Sequence, residues 1–284
     1  MNYRHIFHAG NFADLLKHAV LLALLDLLTA DRGPLTVIDT HAGAGVYDLA
    51  GDLARRTDEG GAVAVLLAEE APPGPLASLK ATVENLNEAG ARVYPGSPHL
   101  IATRLRARDQ LIACETRREE FESLREALRR PAGAFATRED GWETARRRTP
   151  RAPANVLVHI DPPYEAPDDG ARAADAVRQV LGRNRGAVVA IWAPIKDLAG
   201  FDVLLSGLED AARGCDLLLI EARLHPLDDP LRLNGCAVII VNPPAELDAE
   251  AAIAAEWIAG AFGGPGAVGR ASRIGRPARV GQRS

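Results

Sequence analysis

Between Phe12 and Thr29 the apolar residues Leu15, Leu16, Val20, Leu21, Leu24, Leu25 and Leu28 return at three-to-four spacing, the repeat of one helix face, and Asn11 holds the capping position before them. The spacing predicts an amphipathic helix. Gly33-Pro34 breaks it, and the signal changes to short unbroken apolar runs of the kind that form buried strands. The first, 35–38, closes on Asp39. Others follow at 110–114 closed by Glu115, 132–137 before Asp140-Gly141, 155–160 before Asp161, 186–192, 216–221 and 237–242. Helical stretches separate them at 76–89, from Pro98 through Leu105 with Ser97 as the cap, and at 118–129, 171–181 and 200–212. Seven strands alternating with helices imply a Rossmann-like α/β fold, a mainly parallel sheet covered on both faces, with ligands at the carboxyl ends of the strands.

Residues 51–94 are irregular, with Gly60-Gly61 and Pro72-Pro73-Gly74-Pro75, and read as an inserted helical subdomain splitting a main domain of 1–50 and 95–262. Beyond 263 the chain is rich in Gly, Pro and Arg without apolar periodicity, which predicts a flexible basic tail over 263–284. With 284 residues, 47% hydrophobic and 25% charged, the composition excludes a largely disordered, collagen-like or disulfide-scaffold chain. The formal net charge of −5 does not announce a nucleic-acid binder. The Arg clusters at 117–118, 129–130 and 146–148 nevertheless form local patches suited either to phosphates or to a solvated helix face. The longest apolar stretch, 19–28, contains Asp26 and falls far short of the roughly 20 residues that cross a bilayer, and the N-terminus lacks the order of a signal peptide. A cytoplasmic protein without membrane contact is expected. Cys114, Cys215 and Cys236 lack paired spacing, and His5, His8 and His18 lack supporting carboxylate-histidine spacing, so no metal is expected.

Two segments carry chemistry. In Asp39-Thr40-His41-Ala42-Gly43-Ala44-Gly45 the glycines sit where backbone turns tightly and approaches a ligand closely, a nucleoside derivative or, on a bland reading, nothing more than a turn. A dinucleotide fingerprint needs a third glycine where Asp48 stands; an NAD oxidoreductase would then use Glu69 or Glu70. Asp161-Pro162-Pro163-Tyr164 is more specific. Two prolines make a stiff extended stub whose carbonyls cannot be consumed by a helix, so a carboxylate and a carbonyl are presented together at a strand end. Both accept hydrogens from an exocyclic amine, making its nitrogen more nucleophilic, and Tyr164 offers a flat surface for the base. The second double proline, Asn242-Pro243-Pro244, reads as a turn.

The pairing of Asp39-x-x-x-Gly43-x-Gly45 with Asp161-Pro162-Pro163-Tyr164 resembles the S-adenosylmethionine loop and amino-group motif of N6-adenine methyltransferases. The opening Tyr3-Arg4-His5-x-Phe7-His8-Ala9-Gly10-Asn11-x-Ala13-Asp14-x-Leu16-Lys17-His18 narrows the resemblance to the RlmJ family of 23S ribosomal RNA adenine-N6 methyltransferases. Matching segments run from Tyr3 to about Pro244, including Tyr94-Pro95-Gly96-Ser97-Pro98; Pro194-Ile195-Lys196 is less alike. The resemblance implies S-adenosylmethionine contacts from His18, His41, Gly43, Gly45, Ser97, Glu115, Asp140, Gly141 and Asp161. It implies Asp161 as the catalytic residue, with Pro162 and Tyr164 completing its motif. Tyr3, Arg4 and His5 combine stacking with phosphate-binding chemistry, and the resemblance places Tyr3, together with Tyr164, on the RNA. A monomer acting by direct in-line transfer on a flipped-out adenine of protein-poor RNA is implied. The rival readings are a DNA adenine-N6 methyltransferase and a non-catalytic RNA-binding assembly module.

Overall fold

The computed structural model describes residues 9–30, 33–49, 61–87 and 92–274. Along the chain the elements are α1 (Phe12–Thr29), β1 (Leu35–Asp39), β2 (Val46–Asp48), α2 (Gly61–Ala68), α3 (Pro75–Leu86), β3 (Val93–Pro95), α4 (Ser97–Ala102), β4 (Gln110–Cys114), α5 (Arg118–Ala127) and β5 (Ala134–Thr137). They continue with α6 (Gly141–Arg148), β6 (Asn155–Ile160), α7 (Asp169–Arg183), β7 (Val188–Ile195), α8 (Leu198–Ala211), β8 (Leu217–Arg223), β9 (Gly235–Val241), α9 (Leu247–Phe262) and β10 (Val268–Ile274). Eight strands share one sheet in the order β10-β8-β9-β7-β6-β1-β4-β5, and β2 pairs with β3 in a separate ribbon. From β5 to β7 neighbours run parallel; β9, β8 and β10 each run antiparallel to the strand before them.

Side chains alternate across the sheet as the strand repeat requires. Leu35 and Val37 of β1 join a core built around α1, whereas Ile38 joins a second core beneath α7 and α8. The sheet thus lies between two apolar layers, the three-layer arrangement expected of alternating strands and helices.

Asn11 caps α1 as predicted, its side chain accepting the Asp14 amide at 3.0 Å. The expected amphipathic character is not what the structure shows. Every residue from Ala13 to Leu25 is buried, because α9, α3, α4 and α2 pack around α1 on the sides that β9 does not cover. A helix enclosed on all sides has no polar stripe to keep. Ser97 is likewise not a cap: α4 is preceded by Gly96, and the Ser97 hydroxyl is used elsewhere.

Three further expectations change. The insertion at 51–94 supplies, in its described part, α2 and α3, whose Val63, Leu66, Leu76, Leu79 and Val83 lie in the same core as Leu16 and Leu24. Two short helices cannot bury an apolar face alone. The segment before Glu69 is the helix α2, as a helical insertion requires, whereas the NAD reading needs an acid at a strand end; Glu69 and Glu70 close no strand and do not line the cleft described below, which removes that reading. The stretch expected to be a mobile tail contributes β10, the eighth strand. Its Arg270 donates to Glu221 of β8 and its Arg273 to Asp248 of α9, and Gly269 passes so close to α9 that an added Cβ would lie 2.0 Å from the Ala255 oxygen. Residues 275–284 fall outside the described region. Among the described residues no helix is long and apolar enough to cross a membrane.

Candidate active site

The chain leaves β1 toward β4 and β5 on one side, then returns to β6 on the other, so the crevice at the carboxyl ends of β4, β1 and β6 is the switch point of the sheet. Three carboxylates arrive there: Asp39 ends β1, Glu115 follows β4 and Asp161 follows β6. The loop after β1 wraps closely around its neighbours. Gly43 has φ +60°, and a Cβ there would lie 2.0 Å from the Tyr47 hydroxyl, which itself accepts the Ala44 amide at 3.2 Å. Gly45, with φ +82°, gives its carbonyl to the Gly96 amide at 2.9 Å and abuts Ala127 of α5. Gly141 starts α6 so near β1 that a Cβ would lie 1.8 Å from the Thr40 carbonyl oxygen.

A cleft of about 410 Å³ opens here. It brings together six of the residues expected from the sequence: His18, His41, Gly43, Ser97, Glu115 and Asp161. Gly45, Asp140, Gly141, Pro162 and Tyr164 are not among its lining residues. Gly45 and Gly141 act through the close approaches just described. Asp140 caps α6, accepting the Glu143 amide at 3.0 Å, and lies 3.5 Å from Arg172. Tyr3, Arg4 and His5 fall outside the described residues.

Asp39 is fully buried and shared, Oδ2 accepting the Ser97 hydroxyl at 2.7 Å and Oδ1 facing His159 Nδ1 at 3.3 Å. Burial alone would raise its pKa, but the His159 and Ser97 hydrogen bonds and the His159 charge lower it below the ordinary value, so it stays ionised. His41 goes the other way, burial outweighing the carboxylates around it and lowering its pKa to about 4. The ring is neutral, and it packs edge-on against Trp142 with centroids 4.7 Å apart. Burial also raises the Glu115 carboxyl above its usual range, although Oε1 accepts the Arg117 amide at 2.7 Å. His18 pairs through Nδ1 with the Tyr94 hydroxyl at 2.8 Å.

Asp14 is a partner of Lys17, whose ammonium lies 2.7 Å from Asp14 Oδ1 and 2.6 Å from Asp161 Oδ2. Burial would lower the Lys17 pKa, but the two carboxylates raise it well above the ordinary value. Neither the glycine loop nor the Asp161 motif contains this lysine. Its signal was a charge inside an otherwise apolar helix, which is sustainable only with a partner.

Tyr164 lies beside the cleft, not in its lining. With φ +51° it turns away, donates its hydroxyl to the Trp192 carbonyl at 2.8 Å and lines a neighbouring cavity of about 1260 Å³ with Pro194 and Lys196. Pro162 is buried beneath the turn, and Pro163 forms the cleft wall in its place.

A mainly parallel Rossmann-like sheet with a glycine loop after its first strand and Asp-Pro-Pro-Tyr after the strand beside it is the arrangement of a class I methyltransferase. A sequence model of the family described as "Ribosomal RNA large subunit methyltransferase D, RlmJ" matches residues 32–273. The chain is 30% identical over 261 residues to ribosomal RNA large subunit methyltransferase J of Escherichia coli (strain K12), covering 91% of this chain and 92% of that protein. It is 30% identical over 254 residues to the enzyme of the same name from Haemophilus influenzae, covering 88% and 90%. The crystal structure of LPL1258 from Legionella pneumophila superposes with a TM-score of 0.80 at 26% identity, covering 94% of this chain and 97% of that one. This chain belongs to the RlmJ family and is, with it, an RNA methyltransferase.

Proposed function

We propose that the enzyme methylates the exocyclic N6 of an adenine in 23S ribosomal RNA, using S-adenosylmethionine. The observation that carries this reading is the Asp161 carboxylate. It shares a cleft with the glycine loop, has Oδ2 held by Lys17 at 2.6 Å, and has no further protein partner among the described residues. The cleft suits the cofactor chemically. Glu115 is an acceptor for a pair of ribose hydroxyls, Ser97, His18 and His41 are polar groups for the amino-acid end, and Gly43 brings bare backbone to the cleft wall. Asp140 and Gly141, at the start of α6, flank the adenine side on this reading.

When bound, the cofactor supplies an electrophilic methyl group on a sulfonium. An adenine amine is a weak nucleophile because its lone pair is delocalised into the ring. Asp161 accepts one amine hydrogen through the oxygen that Lys17 leaves open, and a carbonyl of the Pro162-Pro163 stub accepts the other, so the nitrogen pyramidalises toward the methyl. The carboxylate also favours the positive charge that develops on nitrogen. Transfer is direct, and positioning and electrostatics supply the catalysis without a covalent enzyme intermediate. No strong base is needed before attack, since the departing proton becomes acidic once nitrogen has its fourth substituent. The flipped-out base approaches from the Tyr164 side, where the larger cavity adjoins the motif. Tyr3, Arg4 and His5 contact the RNA, a monomer suffices, and protein-poor cytoplasmic RNA is the substrate.

The test is transfer from labelled S-adenosylmethionine to deproteinised large-subunit RNA, with DNA and intact subunits in parallel, for wild type and Asp161→Ala. Label in N6-methyladenosine of RNA, lost in the variant, is expected. Label in DNA alone, or in another nucleoside, overturns the assignment.

A further inference from the structure

The hydrogen bonds around His41 favour one placement of its proton. Thr40 Oγ1 lies 3.0 Å from the main-chain carbonyl oxygen of His159 and 2.8 Å from His41 Nδ1. A carbonyl oxygen only accepts, so the single hydroxyl hydrogen of Thr40 is spent on His159. With that hydrogen on His159, the hydroxyl offers His41 a lone pair, and Nδ1 is the donor. Thr40 and His159 are both 2% exposed, and the Thr40 amide also donates to the His159 oxygen at 3.0 Å, so this geometry has little freedom. The ring is neutral and carries one proton, which leaves Nε2 a bare acceptor with no protein partner among the described residues. Asp39, Asp140, Asp161 and Asp169 all act on this imidazole as negative charges. A donor that is itself cationic is therefore favoured over a neutral one at Nε2.

We propose that Thr40 is a positioning residue that locks His41 as the Nδ1–H tautomer, so that His41 Nε2 accepts from the α-ammonium of the bound cofactor. This rests on the cofactor reading above and adds the tautomer, the ligand group and the residue that sets them. The same relay ties the cofactor loop to β6 two residues before Asp161, because His159 also faces Asp39 Oδ1.

The test uses the full chain and three readings. Two-bond ¹H–¹⁵N imidazole spectra report the His41 tautomer without any ligand. Calorimetry reports affinity for S-adenosylhomocysteine, which carries the α-ammonium, and for 5′-methylthioadenosine, which does not. In wild type His41 is expected as the Nδ1–H form. Thr40→Ser keeps that form and binds S-adenosylhomocysteine within about twofold of wild type; Thr40→Val releases the tautomer and weakens it roughly tenfold, the scale of one hydrogen bond. Methylthioadenosine affinity stays unchanged in both. An Nε2–H form in wild type overturns the proposal whatever the variants do. So does a Thr40→Val protein that binds S-adenosylhomocysteine as wild type does, or that loses both ligands equally. Wild type binding neither adenosyl ligand while showing the Nδ1–H form overturns the cofactor reading and the ammonium contact together, a result distinct from a wrong tautomer.

Discussion

The Lys17 ammonium stands 2.6 Å from Asp161 Oδ2 and 2.7 Å from Asp14 Oδ1, so a charge carried by α1 holds the carboxylate that follows β6. Replacing Lys17 by Met leaves two carboxylates facing each other without a cation. Removing one partner of a buried ion pair costs about 3 kcal/mol, and methyl transfer is expected to fall roughly 100-fold with the lost orientation of Asp161. Because the folded-state pKa of Lys17 is raised, its contribution is fully present below the ordinary lysine pKa and is lost as pH rises through the folded value. Thermal unfolding of the two proteins should keep a constant gap at neutral pH and narrow only above about pH 10.4. An equal melting temperature and turnover in Lys17→Met would dismiss the ion pair as incidental.

His41 acts in the acid range. Its folded-state pKa is lowered to about 4, burial being the main cause, whereas in the unfolded chain it titrates near about 6.5. Between those values the unfolded chain takes up a proton that the folded chain does not, so stability is complete above the upper limit and declines as pH falls toward the lower. His41→Gln should flatten that part of the melting-temperature profile; a slope identical to wild type would assign it to other groups.

Gly43→Ala places a methyl 2.0 Å from the Tyr47 hydroxyl at a backbone φ of +60°. The two penalties separate in a double variant. Tyr47→Phe removes the atom that clashes, the ring Cζ being at 3.3 Å, but leaves the φ strain of about 1–3 kcal/mol. Gly43→Ala alone is expected to abolish cofactor binding, and the double variant to recover part of the lost stability. Full recovery of stability and binding would show that the backbone there tolerates a side chain.

Glu221 is fully buried in β8, with Arg223 on Oε1 and Arg270 of β10 on Oε2. Glu221→Gln leaves both guanidiniums without their carboxylate. With Arg270 half exposed the cost is moderated to about 1–2 kcal/mol. Hydrogen exchange should quicken through 268–274 while turnover at saturating substrates is preserved. Unchanged protection of β10 would mean that the ladder to β8 alone secures it.

Much of the architecture was legible because its signals are local. Residues 12–29 are legible as a helix from spacing and a cap, the inner strands from short apolar runs, and the glycine loop and Asp161 motif from glycines and prolines whose backbone restrictions hold in any context. The readings that failed depended on distant partners. The segment 268–274 has no apolar repeat and becomes a strand through Glu221, Asp248 and the close face of α9. The Ala-rich α9 was not foreseen, and it is what turns α1 from an amphipathic helix into an enclosed one. The same division runs through the site. Sequence by itself determined which chemistry is present: carboxylates at strand ends, a glycine loop, and the stiff stub after Asp161. Tertiary structure alone decided that Lys17 reaches Asp161 across 144 residues, that Tyr164 turns from the cleft toward Trp192, and that Thr40 orients His41 through His159. Local dihedral preferences and periodicity are written residue by residue, whereas the partner of a buried charge or hydroxyl is set by which strands the fold makes neighbours.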